Sequence, residues 1–124
     1  LLENELRGMP HPKTWVDGPI DRCRLFPCDA GSTLEDVIRS LVLMESGSTF
    51  PSHEHLGDEY ILVLQGSLLN EDGKLYRPGD RMHMPKGTNH SFEVPTGLDL
   101  IYFNVVHRGL QIGEQVITPE SLAT

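Results

Sequence analysis

The 124 residues suit one domain, and 38% hydrophobic with 23% charged residues is the make-up of an ordinary globular chain. A net charge of −8 and a pI near 5.1 argue against a nucleic-acid surface and against docking on an anionic membrane. No run reaches the ~18 apolar residues that a membrane helix needs, and the twelve Gly and nine Pro are dispersed, as in folds built of many short strands.

In chain order, residues 1 to 30 read as irregular, because Pro10, Pro12, Pro19 and Pro27 interrupt any helix. Trp15-Val16 and Leu25-Phe26 are short apolar pieces suited to edge strands, and Asp29-Ala30-Gly31-Ser32 reads as a turn. Ser32 to Glu35 carries a capping-box pattern for a short helix, but the β-branched, apolar run from Val37 to Met44 favours a strand that Gly47 ends. Glu59 to Leu69 reads as a strand buried on both faces. Asn70-Glu71-Asp72-Gly73 is a hairpin turn and Lys74-Leu75-Tyr76 the return strand. Arg77-Pro78-Gly79-Asp80 turns the chain again. Arg81–Met84, His90–Val94 and Leu98–Val106 follow as strands, and Thr118-Pro119-Glu120-Ser121 reads as a helix start. Seven to nine strands spaced about ten residues apart predict an all-β sandwich or jelly-roll barrel.

The chemistry is concentrated in His53-Glu54-His55-Leu56-Gly57-Asp58-Glu59. On a strand, positions 53 and 55 share a face, so their two imidazoles can grip one ion. The small turn at 56–58 can return the Glu59 carboxylate to the same place. Imidazole with carboxylate suits Fe(II), Mn, Ni, Cu or Zn. His90, placed after a strand, a Pro and a Gly, is the candidate fourth ligand.

The stretch Gly47-x5-His53-x-His55-x3-Glu59-x6-Gly66 matches the first motif of the cupins at each defined position, and Gly79-x5-Pro85-x-Gly87-x2-His90 matches the second. The sequence therefore resembles that superfamily, and around the ligands it is similar to the small ChrR-like cupins. The resemblance implies a double-stranded β-helix, the jelly-roll or cupin barrel, with one divalent metal on His53, His55, Glu59 and His90. It implies a single domain over 1–124, with a barrel core of about 35–107 and an extension, 1–34, that adds edge strands or dimer contacts. One departure stands at Val94, where the second motif normally ends in Asn; a hydrogen bond near the barrel mouth is expected to be missing.

For function, the resemblance implies a non-heme, metal-dependent oxygenase of the dioxygenase type acting on a small oxygen-rich organic compound in the barrel. Fe(II) is the expected ion for that chemistry, with Glu59 and His83 as acid–base groups. The alternative is a non-enzymatic ligand or redox sensor like the ChrR regulatory domains. His83 lies on the face opposite Met82 and Met84, and its role depends on that face being the lumen. Tyr60 and Tyr102 read as core or pocket residues, Phe50, Phe92 and Phe103 as barrel filling, and His11 and His107 as surface. Cys23 and Cys28 read as reduced thiols of a cytoplasmic protein, and the sequence shows no leader pattern. Apolar side chains on both faces of 60–64 predict a homodimer.

Overall fold

A computed structural model describes residues 15–28 and 37–119. It contains β1 (Val16–Asp17), β2 (Cys23–Pro27), β3 (Val37–Met44), β4 (Thr49–His55), β5 (Glu59–Gln65), β6 (Leu68–Asn70), β7 (Leu75–Tyr76), β8 (Arg81–Met84), β9 (Asn89–Glu93), β10 (Leu100–His107), β11 (Leu110–Ile112) and β12 (Gln115–Ile117). Two six-stranded sheets run in the orders β1-β2-β3-β10-β5-β8 and β12-β11-β4-β9-β6-β7, with every pairing antiparallel. This is the jelly-roll sandwich that the strand spacing predicts.

The inner faces follow from alternation. On β10, Leu100, Tyr102, Asn104 and Val106 are buried while their neighbours are half-exposed, and β3 turns Ser40, Val42 and Met44 the same way. Phe50, Phe92, Val63, Leu68 and Met82 fill the space between the sheets. Gly66 is a fixed point: its φ is +73° and a Cβ there would lie 2.6 Å from the Asp99 carbonyl oxygen, so only glycine fits between β5 and the start of β10.

Several expectations are corrected. Among the described residues there are twelve strands, not seven to nine; the surplus comes from pieces of two or three residues and from the β11–β12 hairpin, whose turn at Gly113 and Glu114 was not anticipated. The strand from Glu59 stops at Gln65 and is buried on one face only. Glu59, Ile61 and Val63 point inward, and Tyr60 and Leu64 stand 46% and 47% exposed, because nothing among the described residues covers the outer face. Phe103 also points outward from β10 and does not fill the barrel. Both N-terminal apolar pieces join a sheet, but only β1 lies at its edge; β2 sits between β1 and β3. Val94 is buried in the core, its backbone bonded to Gly47 and Ser48. The turn at 29–32, the capping box at 32–35, His11 and residues 120–121 of the helix start lie outside the described residues.

Candidate metal centre

Three strands from the two sheets deliver the four expected side chains. His53 and His55 leave β4 on one face, and His90 stands opposite His53 on β9. The turn at 56–58 then carries the chain across to the other sheet, where Glu59 opens β5. The pairing of β4 with β9 holds Phe50 against Phe92 and His53 against His90, so three steps on one strand match two on the other. This is a bulge at Pro51 and Ser52. Without the extra residue, strand alternation would turn either Phe50 or His53 outward. Pro51 carries no N–H to lose from the ladder, and its carbonyl oxygen accepts from His53 Nδ1 at 2.8 Å.

The donor atoms of His53, His55, Glu59 and His90 all lie within 4.8 Å of one another, and all four residues are buried. Each imidazole has its Nδ1 committed away from the centre. His53 Nδ1 bonds the Pro51 carbonyl, His55 Nδ1 the Thr88 carbonyl at 3.0 Å, and His90 Nδ1 the Asn70 Oδ1 at 2.7 Å. An imidazole that donates from Nδ1 keeps its lone pair on Nε2, and partners of this kind orient metal ligands. The Pro85-x-Gly87 segment explains itself here. Gly87 turns with a φ of +85°, its N–H donates to the His55 carbonyl at 2.8 Å, and the Thr88 carbonyl lands on His55 Nδ1.

Glu59 is held in the same manner. The Ser40 hydroxyl donates to Asn104 Oδ1 at 2.6 Å, and Asn104 Nδ2 donates to Glu59 Oε2 at 3.2 Å. Glu59 Oε1 then faces His55 Nε2 at 2.9 Å. Burial lowers the His53 and His90 pKa values, that of His90 to about 3, helped by the neighbouring imidazoles. Both rings are therefore neutral, as a ligand must be.

One observation tests whether these residues fit an ion. Among the described residues, the one buried side-chain nitrogen or oxygen without a hydrogen-bond partner is His90 Nε2. A buried polar atom left unpaired costs about 1–3 kcal/mol, and this one lies in the cluster where a cation would pair it. A donor set of three imidazoles and one carboxylate fits a divalent ion.

The sequence pattern alone does not single out Asn70, Ser40, Thr88, Pro51 and Asn104 as partners of the cluster. Ser40 and Asn104 did leave a signal, being polar residues at inward positions of apolar strands. His83 is not brought to the cluster. The lumen takes Met82, and His83 faces outward, its ring stacked on Tyr60 at 4.6 Å and its Nε2 3.5 Å from Asp58 Oδ2. The condition for its acid–base role fails.

The ChrR cupin-like domain family matches residues 13–108. The chain belongs to that family. An RmlC-like cupin protein from Ralstonia eutropha superposes on this cupin with a TM-score of 0.77 at 16% identity, over 94% of this chain and 84% of that one. An acetylacetone dioxygenase from Acinetobacter johnsonii superposes with a TM-score of 0.76 at 14% identity, over 90% and 83% of the two chains. In the Rhodobacter sphaeroides complex of SigE with the anti-sigma ChrR, the match has a TM-score of 0.64 at 26% identity, over 75% of this chain and 48% of that one. The cupin thus spans about half the length of that chain. No curated protein sequence matches it.

Proposed function

We propose that this cupin is a metal-dependent oxygenase of the dioxygenase type, holding one divalent ion on His53, His55, Glu59 and His90 and acting on a small oxygen-containing organic compound. The observation that carries the reading is the unpaired His90 Nε2 within four buried donors whose other polar atoms are already committed. Four protein ligands leave one or two positions of a six-coordinate ion for water, O2 or a chelating substrate. Fe(II) is the ion that supplies O2 activation there; Zn, Ni, Mn or Cu would fit the same donors.

The chain's own contribution is orientation and proton handling. The carbonyls of Pro51 and Thr88 and the Asn70 side chain fix the three rings. Asn104 holds Glu59 Oε2 and leaves Oε1 facing the cluster, where it would ligate the ion or, swung off it, take a proton from an acidic C–H or O–H of the substrate. Phe50 and Phe92, stacked at 5.2 Å, shield the cluster from water on one side.

The test is purification without chelators, metal analysis, and oxygen uptake with a panel of diketones and catechols. Iron with substrate-dependent uptake supports the oxygenase. The ChrR family match supports a second reading, a ligand or redox sensor. Tightly held zinc and no uptake across the panel would favour it and overturn the first. The exposed Tyr60 and Leu64 on β5 support a homodimer through the outer sheet face. A monomer by light scattering at micromolar concentration counts against that. The buried Cys23 thiol, held outside any disulfide, supports the reading of a cytoplasmic protein.

A further inference from the structure

A small space of about 30 Å³ lies inside the sandwich, next to the cluster. Two of its walls touch the ligands: Asn104 bonds Glu59, and the Phe50 ring sits 4.5 Å from His53. The rest is mostly apolar, with Val42, Val106, Leu110 and Ile117 among the lining residues. No described Lys, Arg, His, Asp or Glu lines it. A carboxylate or phosphate entering here would lose its water and meet no Lys or Arg, its one cationic partner being an ion at the cluster whose charge Glu59 already offsets in part, a large cost.

Of the polar side chains at this space, Ser40 and Asn104 already spend hydroxyl and amide on the relay to Glu59. Tyr102 does not. It is buried, it shares the inner face of β10 with Asn104, and it lines this space. Burial opposes its ionisation, and the charges of Glu59 and Cys23 oppose it further, so it stays a donor.

Resting on the reading of the cluster as a metal site, we propose that the lumen selects an uncharged, largely apolar small molecule and that Tyr102 sets this specificity by donating its hydroxyl to one oxygen of that molecule. The space holds two or three waters at most, at about 10–15 Å³ each, so a ligand must displace a wall. That wall is the turn at 18–23: Pro19 and Cys23 line both the inner space and an open surface groove of about 810 Å³. The turn is closed by Gly18 N–H donating to the Cys23 carbonyl at 2.8 Å, and its Ile20 packs on the core.

The experiment is a titration of methyl-labelled protein, zinc-loaded and metal-free, with cyclopentanone and with cyclopentanecarboxylate, read by NMR. Zinc content is measured on the same samples. The ketone is expected to shift the Val42, Val106 and Ile20 methyls saturably, and the carboxylate to leave them in place. Tyr102→Phe should weaken the ketone about tenfold, the worth of one hydrogen bond, with the unfolding temperature checked to show that the variant is folded. Carboxylate binding as tight as ketone binding, or unchanged ketone affinity in Tyr102→Phe, or no saturable ketone shift in either metal state, overturns the proposal. Zinc uptake with any of these failures leaves the metal reading standing. A Tyr102-dependent ketone response in a chain that takes up no zinc sinks the metal reading and keeps the assignment of the lumen.

Discussion

Strand β5 separates two histidine clusters made from nearly the same residue types. Inside lie His53, His55, His90 and Glu59; outside lie Asp58, Tyr60, His83 and His107. Asp58 and Glu59 are neighbours in sequence and face opposite ways. The inner imidazoles are buried, and each has Nδ1 fixed by an oxygen, so each can offer Nε2 to a shared centre. The outer cluster is open to solvent. His83 is 47% exposed and stacked on Tyr60, and Asp58 spends one oxygen on the Lys86 N–H, which holds its carboxyl below the usual carboxylate range. Residue type does not make a ligand set; burial together with a committed second nitrogen does.

The largest effect should be metal-linked stability. An ion that binds the folded chain alone stabilises it by about 4 kcal/mol at a thousandfold excess over Kd, so chelator treatment should lower the unfolding temperature by roughly 10–20 °C for a domain of this size. His90→Ala should abolish that response and His83→Ala should keep it, as scanning calorimetry with and without chelator will show. A metal response lost in His83→Ala would break the contrast between the clusters.

Next in size are the residues behind the ligands. Asn70→Ala and Asn104→Leu should each weaken metal binding about 10–100-fold, the usual cost of losing an outer partner. Competition with a coloured chelator measures this. Effects within twofold would mean that the orienting bonds to His90 and Glu59 do not matter.

Acid should act on the inner cluster of the metal-free chain. The folded His90 pKa lies near 3, depressed by burial from an ordinary 6.5. Between those values the unfolded chain binds more protons. Stability is therefore complete above pH 6.5 and is lost progressively as pH falls toward 3. Urea midpoints on both sides of pH 6.5 check the sign, and His90→Phe should flatten the slope. The smallest effect belongs to the outer pair: His83→Ala should cost less than about 1 kcal/mol, since an exposed stacked pair adds little.

Much of this site was legible in the sequence, and the reasons are physical. His53 and His55 share a strand face, and the fixed spacings to Glu59 and His90 report turns that the structure uses, the Gly87 turn being one. The bulge at Pro51 was not legible, because the period of a strand does not reveal an extra residue until the partner's register is known. Asn70 read as a turn former; its role depends on lying beside His90, twenty positions away in sequence. The side of His83 depended on which face of β8 meets the lumen, a question of tertiary packing that alternation alone leaves open. Short strands such as β7, β11 and β12 carry too few residues for any period to show.

The central claim is that the inner cluster holds one divalent ion through three imidazoles and a carboxylate. X-ray absorption on protein purified without chelators, with metal content measured on the same sample, tests it most directly. The prediction is one ion per chain, with nitrogen and oxygen neighbours at about 2.0–2.2 Å and an imidazole signature that weakens in His90→Ala. No bound metal, or a metal whose spectrum is the same in His90→Ala as in the native chain, would contradict it.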